Sequence, residues 1–466
     1  MHLRMQCSGA LPCFFIIAPV YLNAPAAFCK PAGASEAGDR MATQRQGSMT
    51  FFRQLRGNKN AFAMLLFEPM WGIPYNLFIP YFSIYMNDLG CTPQQIGLLS
   101  TIGMVFQVFF SLIAAPITDR LGRKRTTLIF DLASWSAATL IWAFANNFWF
   151  FFAVAAIQAV NRVVIVSWTC LMVEDADKSL LVKIFSWLTI AGLLSAVFSP
   201  LAAGFVSAYR VVPTMRVLLL VAFALMTAMF FLRNALTKET SVGLVRMKES
   251  RSEPFLSRIA ALFQVTRDIR RNKKTLFFFI LTAVYNTALV VKAPFFALLI
   301  TQALHFSDAS AGYFAAASSG VMLAVYFIVQ PLLSRLRPKA PLSVGIGLCA
   351  AGSLLLIPAF GSFASDLAAV IASVILTSAG TAVAQPFIDG ISHASIDNNK
   401  RANMTGILML TVLVTSAPFG LIGGWLYGLN ARLPFAAGSA LFAVCLVLLL
   451  VFYRGKTNDK TVETIA

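Results

Sequence analysis

Long apolar runs separated by short polar stretches dominate the chain. Most runs hold about twenty residues, the length that a helix needs to cross a hydrocarbon core of ~30 Å. The chain is therefore predicted to be an all-α membrane protein. The pattern predicts twelve transmembrane helices, at roughly 61–86, 96–117, 126–145, 149–172, 184–206, 217–236, 275–304, 312–333, 342–361, 367–388, 403–429 and 434–453.

Composition and charge distribution support the same class. Hydrophobic residues make up 58% of the sequence and charged residues 12%, with a mean hydropathy of +0.75. The net charge of +18 could indicate a nucleic-acid partner. However, 24 lysines and arginines collect in one set of alternate loops and the tail, and only Arg210, Arg216 and Arg432 lie in the other set. By the positive-inside rule, the pattern predicts a multi-pass protein of the cytoplasmic membrane with both termini cytosolic, and no nucleic-acid partner.

The runs divide the chain into five segments. They are a cytosolic N-terminal segment at 1–60, a six-helix bundle at 61–236, a basic cytosolic linker at 237–274, a second six-helix bundle at 275–453 and a tail at 454–466. Two interpretations of residues 1–48 stay open, a signal-peptide core near 13–22 or a true start at Met41 or Met49. The linker's ten lysines and arginines predict a solvated face near anionic lipid, with an interfacial helix around 255–271.

The two bundles carry an internal duplication. The stretch 116–121 returns as 331–336, and Pro80-Tyr81-Phe82 returns as Pro294-Phe295-Phe296. Six spans per half give both halves the same orientation, so they are related by a pseudo-twofold axis along the membrane normal. This arrangement predicts a substrate site between the halves. Pro69, Pro74 and Pro80 in the first span and Pro294 in the seventh also make these two helices candidates for breaks, since proline cannot continue the helical hydrogen-bond ladder.

The loop 115–125 resembles the signature between helices 2 and 3 of the major facilitator superfamily, Gly-x-x-x-Asp-Arg-x-Gly-Arg-Lys. Ala115 replaces the leading glycine, and the second copy keeps an arginine but loses the aspartate to Ser334. The resemblance implies that family's twelve-helix fold, in which this loop latches against the opposite half. Here the partner would be the helix that begins near Asn403, although the loop could instead serve only to set topology. The matching residues are Asp119, Arg120, Gly122, Arg123, Lys124 and, in the second copy, Arg335.

Charges inside predicted spans are the first functional candidates, because they are costly there and usually have a role. Glu68 and Arg162 lie about 10 and 15 Å deep at 1.5 Å per residue, so an ion pair between them is possible. They would form a charged cavity floor in which Glu68 carries a proton, or a static structural pair. We expect Asp131 to pair with the Arg-rich loop. Lys292 is expected to extend its amine towards the outer face, or to bind an anionic substrate.

Polar residues near mid-span complete the predicted site. Glu174, Asp175 and Asp177 are expected to pair with Arg123–Arg125 at the loop. Mixed polar and aromatic side chains predict a cavity suited to many organic molecules. The candidate lining residues are Asn76, Gln107, Gln158, Asn161, Tyr285, Asn286, Lys292, Gln385 and Asp389.

The resemblance and the site together predict a secondary active transporter of a small organic solute, working by alternating access as a monomer. We expect a proton gradient to drive it, with no other cofactor. Gly192, Pro200 and Gly204 resemble the helix 5 pattern of exporters and favour efflux of drugs or metabolites. Uptake of sugars or organic acids, and a non-transporting sensor, are the alternatives. No catalytic pair, metal spacing or phosphate loop indicates an enzyme.

Overall fold

The computed structural model describes residues 57–250, 266–333, 336–358, 362–395 and 401–453, and the chain is helical through most of them. Two shorter helices, the linker helix Ser241–Glu249 and Thr266–Arg271, lie between α6 and α7. The long helices are α1 Lys59–Asp88, α2 Pro93–Leu121, α3 in three pieces (Arg123–Asp131, Leu132–Ala137, Ala138–Ala143), α4 Phe148–Val173, α5 in two pieces (Lys178–Ala196, Ser199–Tyr209), α6 Val211–Leu236, α7 Lys273–Ala303, α8 Ser310–Leu333, α9 Lys339–Leu354, α10 Phe363–Ala394, α11 Arg401–Leu429 and α12 Leu433–Phe452.

Ten of these helices are long and apolar enough to cross a membrane, by length and composition, within the described residues. The other two fall short for local reasons. α3 opens with three cations and its middle piece, Leu132–Ala137, is a π-helix. α9 holds only 16 residues. The all-helical membrane fold is thus confirmed, while the count of twelve spans stays a prediction.

Side-chain caps fix where the helices begin. Thr92 and Gln95 form a reciprocal capping box at the start of α2, where each side chain accepts the other's backbone N–H. Asn58 accepts from the N–H of Ala61 at α1, and Asn272 accepts from two N–H groups at α7. These caps satisfy donors that the first helical turn leaves unpaired.

The helix breaks predicted from the prolines occur at the same place in both halves. α1 narrows to a 3-10 turn at Ile79–Tyr81 and α7 at Ala293–Phe295, each with proline at its start. Pro69 and Pro74 stay within regular helix. Asn76, three residues before the first break, and Asn286, seven residues before the second, each donate to the carbonyl four residues earlier, at 2.8 Å. The 3-10 turns at aligned prolines support the duplication.

The two halves approach most closely where α2 crosses α11. A Cβ on Gly97 would lie 2.9 Å from the Gly424 Cα and would overlap the carbonyl oxygen of Gly420. The Thr101 hydroxyl donates to the Ala417 carbonyl at 2.6 Å and accepts the Leu421 N–H at 2.8 Å. Small residues are what allow such backbone contact between membrane helices.

We expect Gly97→Ala to destabilise the protein, because the added methyl group meets backbone atoms that cannot rotate away. Overpacking of this kind costs about 1–3 kcal/mol, and the measurement is the thermal unfolding midpoint of the detergent-purified protein. Gly103→Ala on the same helix is the matched control, since its Cβ would meet nothing within 4 Å. Equal midpoints for the two variants would contradict the close α2–α11 contact.

Candidate functional site

A cavity of about 440 Å³ lies between the two halves. α1, α2, α3 and α4 form one wall, and α7, α8, α10 and α12 form the other. Most of the lining is apolar and much of it aromatic. Its large members are Phe82, Met86, Met104, Trp142, Phe151, Phe296, Phe314, Met322 and Phe435. A volume of this size suits a small organic molecule, since ligand pockets typically enclose about 300–1,000 Å³.

The polar part of the lining differs from the predicted set. Gln107, Gln158 and Lys292 line the cavity as predicted, but the other polar groups are hydroxyls, of Ser83 on α1, Ser100 on α2 and five residues of α8 and α10. Ser318 and Ser378 are hydrogen-bonded to each other at 2.6 Å. The spacing of Ser373, Thr377 and Thr381 was the available signal, because residues four apart share one face of a helix.

The remaining predicted lining residues lie outside this cavity, so the predicted lining is corrected. Asn76 and Asn286 bond to their own helices, because each side-chain amide reaches the carbonyl one turn back along its helix. Asn161 accepts from the indole N–H of Trp135 at 3.2 Å. In the second half, Gln385 donates to both carboxylate oxygens of Asp389 at 3.1 Å, and Tyr285 lies within electrostatic reach of that carboxylate.

Glu68 and Arg162 occupy different interfaces, which corrects the proposed pairing. Arg162 is buried and donates from Nε and Nη2 to Gln107 Oε1 at 2.9 and 2.7 Å. Glu68 interacts electrostatically with Arg233 and Asp131. The reason is packing: α4 lies against α2, whereas α1 lies against α6. Arg162 therefore orients a cavity residue, and Glu68 belongs to a separate charged cluster.

That cluster consists of half-buried Glu68 on α1, buried Asp131 on α3 and buried Arg233 on α6, and we call it the buried triad. Asp131 and Arg233 form a direct ion pair in which both side chains are buried. The prediction that Asp131 pairs with the Arg-rich loop is therefore wrong, since its ion-pair partner is Arg233 on the neighbouring helix α6. The Arg233 guanidinium also lies 5.3 Å from the ring centre of Phe230. The π-helix of α3 begins one residue after Asp131.

Lys292 lies beside the break in α7 and extends its amine inward. Its Nζ donates to the Ser353 hydroxyl on α9 at 2.6 Å and lies 5.1 Å from the ring centre of Phe442 on α12. The predicted extension to the outer face is therefore corrected. The 3-10 turn that starts at the next residue leaves Lys292 facing α9 and α12 rather than the end of the bundle.

The signature loop forms an ion-pair network at the end of the bundle that carries Gly122, called here the motif face. Arg123 pairs with Asp119 at 3.0 Å and donates from Nε and Nη2 to Glu174 at 3.1 and 3.0 Å. The prediction that Glu174 is a partner is thus confirmed. Asp175 instead accepts from the hydroxyl of Ser241 at 2.6 Å.

Glu239, three residues after the end of α6, caps this network. This role was not predicted from the sequence. Its carboxylate accepts the backbone N–H groups of Arg123 and Lys124 at 2.9 and 3.0 Å, at the start of α3. A carboxylate there satisfies orphan donors and is favoured by the helix dipole. Gly122 has φ 88°, and a Cβ on it would lie 2.6 Å from the Glu239 carboxylate.

Neighbouring residues of the linker extend the attachment. Thr240 donates to Glu174, and Lys238 exchanges backbone hydrogen bonds with the Asn60 side chain at 2.8 and 2.9 Å. The Ser250 hydroxyl donates to the Asp119 carbonyl at 3.1 Å. Arg335 lies outside the described residues, as do the first side chains of α11, so the predicted latch against α11 stays a prediction.

Two curated relatives match parts of the chain. The probable 3-phenylpropionic acid transporter of Escherichia coli (strain K12) is 33% identical over 76 residues, covering 15% of this chain and 20% of the relative. The multidrug resistance protein MdtG of Serratia proteamaculans (strain 568) is 28% identical over 152 residues, covering 31% of this chain and 36% of the relative. The matches thus span about a fifth and about a third of those relatives' lengths.

Solved structures share the fold across most of the chain. The nucleoside transporter NupG superposes with a TM-score of 0.66 at 15% identity, covering 84% of this chain and 100% of that one. A POT family transporter in complex with 5-aminolevulinic acid gives 0.63 at 14% identity, covering 85% and 95%. The model of the Major Facilitator Superfamily matches residues 61–362 and 278–465. With that match over nearly the whole chain, on a fold shared with solved transporters, the protein belongs to the Major Facilitator Superfamily.

Proposed function

We propose that this chain is a secondary active transporter that moves a small organic solute by alternating access. The observation that carries the proposal is the cavity of about 440 Å³ walled by both halves. A site between two repeats becomes open to each side of the membrane in turn when one half rocks against the other. The proposed location is the cytoplasmic membrane, as a monomer, with the cation-rich motif face and both termini in the cytosol.

The direction of transport rests on the relatives' names. One relative is named a multidrug resistance protein and the other a probable 3-phenylpropionic acid transporter. Efflux of drugs or metabolites is the first candidate, and uptake of an organic acid is the second. Both candidates use the same cavity and differ only in which gradient drives it.

Filling the cavity should abolish transport without unfolding the protein. Gly103 lines the cavity and faces open space, so Gly103→Trp would occupy it with an indole ring. We expect solute uptake into proteoliposomes to fall at least tenfold. Gly347→Trp is the control, because Gly347 also faces open space but lies outside the lining. Full transport by the Gly103 variant would mean that the solute takes another path.

The buried triad is the proposed site of proton coupling. With both carboxylates ionised, Glu68 and Asp131 share the single positive charge of Arg233, and the cluster keeps one net negative charge inside the membrane. Such a charge is costly in the bilayer interior, so a proton from solution is a natural partner. Asp131 holds Arg233 directly, which leaves Glu68 to exchange the proton. The adjoining π-helix in α3 is a feature that often occurs at functional sites.

Glu68→Gln should uncouple transport from the pH gradient, because the amide mimics a permanently protonated carboxyl. We expect proteoliposomes to show downhill exchange of solute near the parental rate, with accumulation driven by a pH gradient reduced at least tenfold. Glu249→Gln is the control, as Glu249 is exposed on the linker helix. Unchanged gradient-driven accumulation in Glu68→Gln would rule out Glu68 as the coupling residue.

We also propose that the linker acts with the signature loop as a conformational latch. Glu239 ties the linker to the start of α3 through two backbone N–H groups, while Thr240 and Ser241 tie it to the end of α4. Rocking of the halves must move the linker that joins them. Capping bonds of this kind typically contribute about 0.5–2 kcal/mol, a size that can bias an equilibrium of a few kcal/mol.

Replacing Glu239 with alanine should free the start of α3. The amide hydrogens of Arg123 and Lys124 would lose their acceptor, so we expect their exchange with deuterium to accelerate about 5- to 30-fold, as loss of ~1–2 kcal/mol implies. Hydrogen-exchange mass spectrometry of the 118–130 peptide measures this. Glu249→Ala should leave that peptide unchanged, and an equal effect from both variants would argue against the cap.

A further inference from the structure

We propose that the cavity binds an organic anion, with the Lys292 ammonium as the group that recognises its negative charge and the apolar walls as the surface for its body. This inference names the substrate class of the cavity and therefore rests on the proposed transport function. The argument has three parts: the missing counter-charge of Lys292, the charge of the lining and the chemistry of the facing wall.

Lys292 is a half-buried cation that forms no ion pair with a described carboxylate. An ammonium group has three N–H donors, and one of them is used by the Ser353 hydroxyl. The Phe442 ring adds a cation–π contact, which stabilises the charge but accepts no proton. Among the described residues, no aspartate or glutamate forms an ion pair with Lys292. A cation held in the membrane interior in this way is costly until an anion arrives.

The other ionisable groups of the second half do not neutralise Lys292. Asp389, on α10, is hydrogen-bonded to Gln385, and its electrostatic neighbours are the hydroxyls of Tyr285 and Tyr326. The group in electrostatic contact with Lys292 is the Cys349 thiol on α9. Within the part of the chain that the structure describes, Asp389 forms no ion pair with the amine.

The cavity lining has a single charge, and it is positive. Its described members include Lys292 and no acidic side chain. A cationic substrate would have to approach Lys292 without any carboxylate to offset the repulsion. Such an unmatched like charge excludes a ligand as effectively as an attractive contact selects one. The lining therefore favours anions over neutral molecules, and neutral molecules over cations.

The wall facing Lys292 indicates what the rest of the ligand is like. Phe82, Trp142 and Phe151 come from three helices of the first half and pack edge to face around the cavity. Ser83 and Ser100 each add one hydroxyl on the first-half side, and the other hydroxyls of the lining lie on α8 and α10. An aromatic or aliphatic body with one carboxylate matches a wall that is mostly apolar, while a sugar, with polar groups on every side, would leave most of its hydroxyls against apolar rings.

A charge series of equal size tests the proposal on the full-length protein. The probes are 4-phenylbutyrate, 4-phenylbutyramide and 4-phenylbutylamine, which differ at one end in charge but share a phenyl body. Binding to purified protein in detergent is measured by isothermal titration calorimetry. We expect the carboxylate to bind at least tenfold more tightly than the amide, and the amine to bind most weakly.

Lys292→Gln separates recognition from structure. We expect this variant to lose at least tenfold in affinity for the carboxylate while its affinity for the amide stays the same. Lys273→Gln, at the exposed start of the same helix, should change neither. The ligand-free Lys292→Gln protein should also unfold at a higher temperature than the parent, because an uncompensated charge has been removed, whereas a lysine with a structural role would give a lower midpoint.

The outcomes distinguish this inference from the proposed function. Equal affinity for carboxylate and amide in the parent protein overturns the anion site, and so does the absence of saturable carboxylate binding. Both results come from the parent protein and do not depend on whether the variants fold. Tight, Lys292-dependent binding without movement of 4-phenylbutyrate in proteoliposome counterflow leaves the anion site standing and overturns transport. Transport that favours the amide or the amine leaves transport standing and overturns the anion site.

Discussion

The high free-energy cost of an unpaired charge in hydrocarbon determines how the helices of this protein pack against one another. The bilayer core offers no water to solvate an ion, so each buried charge needs a partner from a neighbouring helix. Asp131 meets Arg233 across α3 and α6, and Arg162 meets Gln107 across α4 and α2. These contacts fix how the helices of the first half rotate about their own axes. At the motif face, Arg123, Asp119 and Glu174 do the same for three helix ends.

The contacts between the halves follow a different rule. Where α2 crosses α11, glycines bring the backbones together and Thr101 satisfies its hydroxyl on the Ala417 carbonyl. Smooth surfaces of small residues can change their crossing angle without breaking ion pairs. The charged contacts around Glu239 lie instead on the linker that joins the halves. On the proposed alternating access, the small-residue contact between the halves would move, and the linker contacts around Glu239 would restrain that movement.

Features set by position along the chain could be predicted from the sequence. The direction in which a side chain leaves its helix could not. Run length located the helices, and Pro80 and Pro294 located the breaks. Depth along a span placed Glu68 and Arg162 at similar levels in the membrane. They nevertheless face α6 and α2 respectively, because the packing of the helices determines which neighbour each side chain meets. The same limit applies to Lys292, whose depth predicted the outer face and whose direction is set by the α7 break. Glu239 was not predicted because an acidic residue in a basic linker has the pattern of a solvent-exposed side chain.

Comparison of the two halves explains how a duplicated scaffold could acquire a selective site. At the spacing that aligns Pro80 with Pro294, Lys292 aligns with Phe78, which is fully buried among aromatic and apolar side chains. The backbone break is common to both halves, but only one half places a charge just before it. In the first half Asp131 pairs with Arg233, while in the second half Lys292 pairs with no described carboxylate. On the proposed assignment, the repeat supplies the geometry of the cavity, and one lysine in place of a phenylalanine supplies its preference for anions.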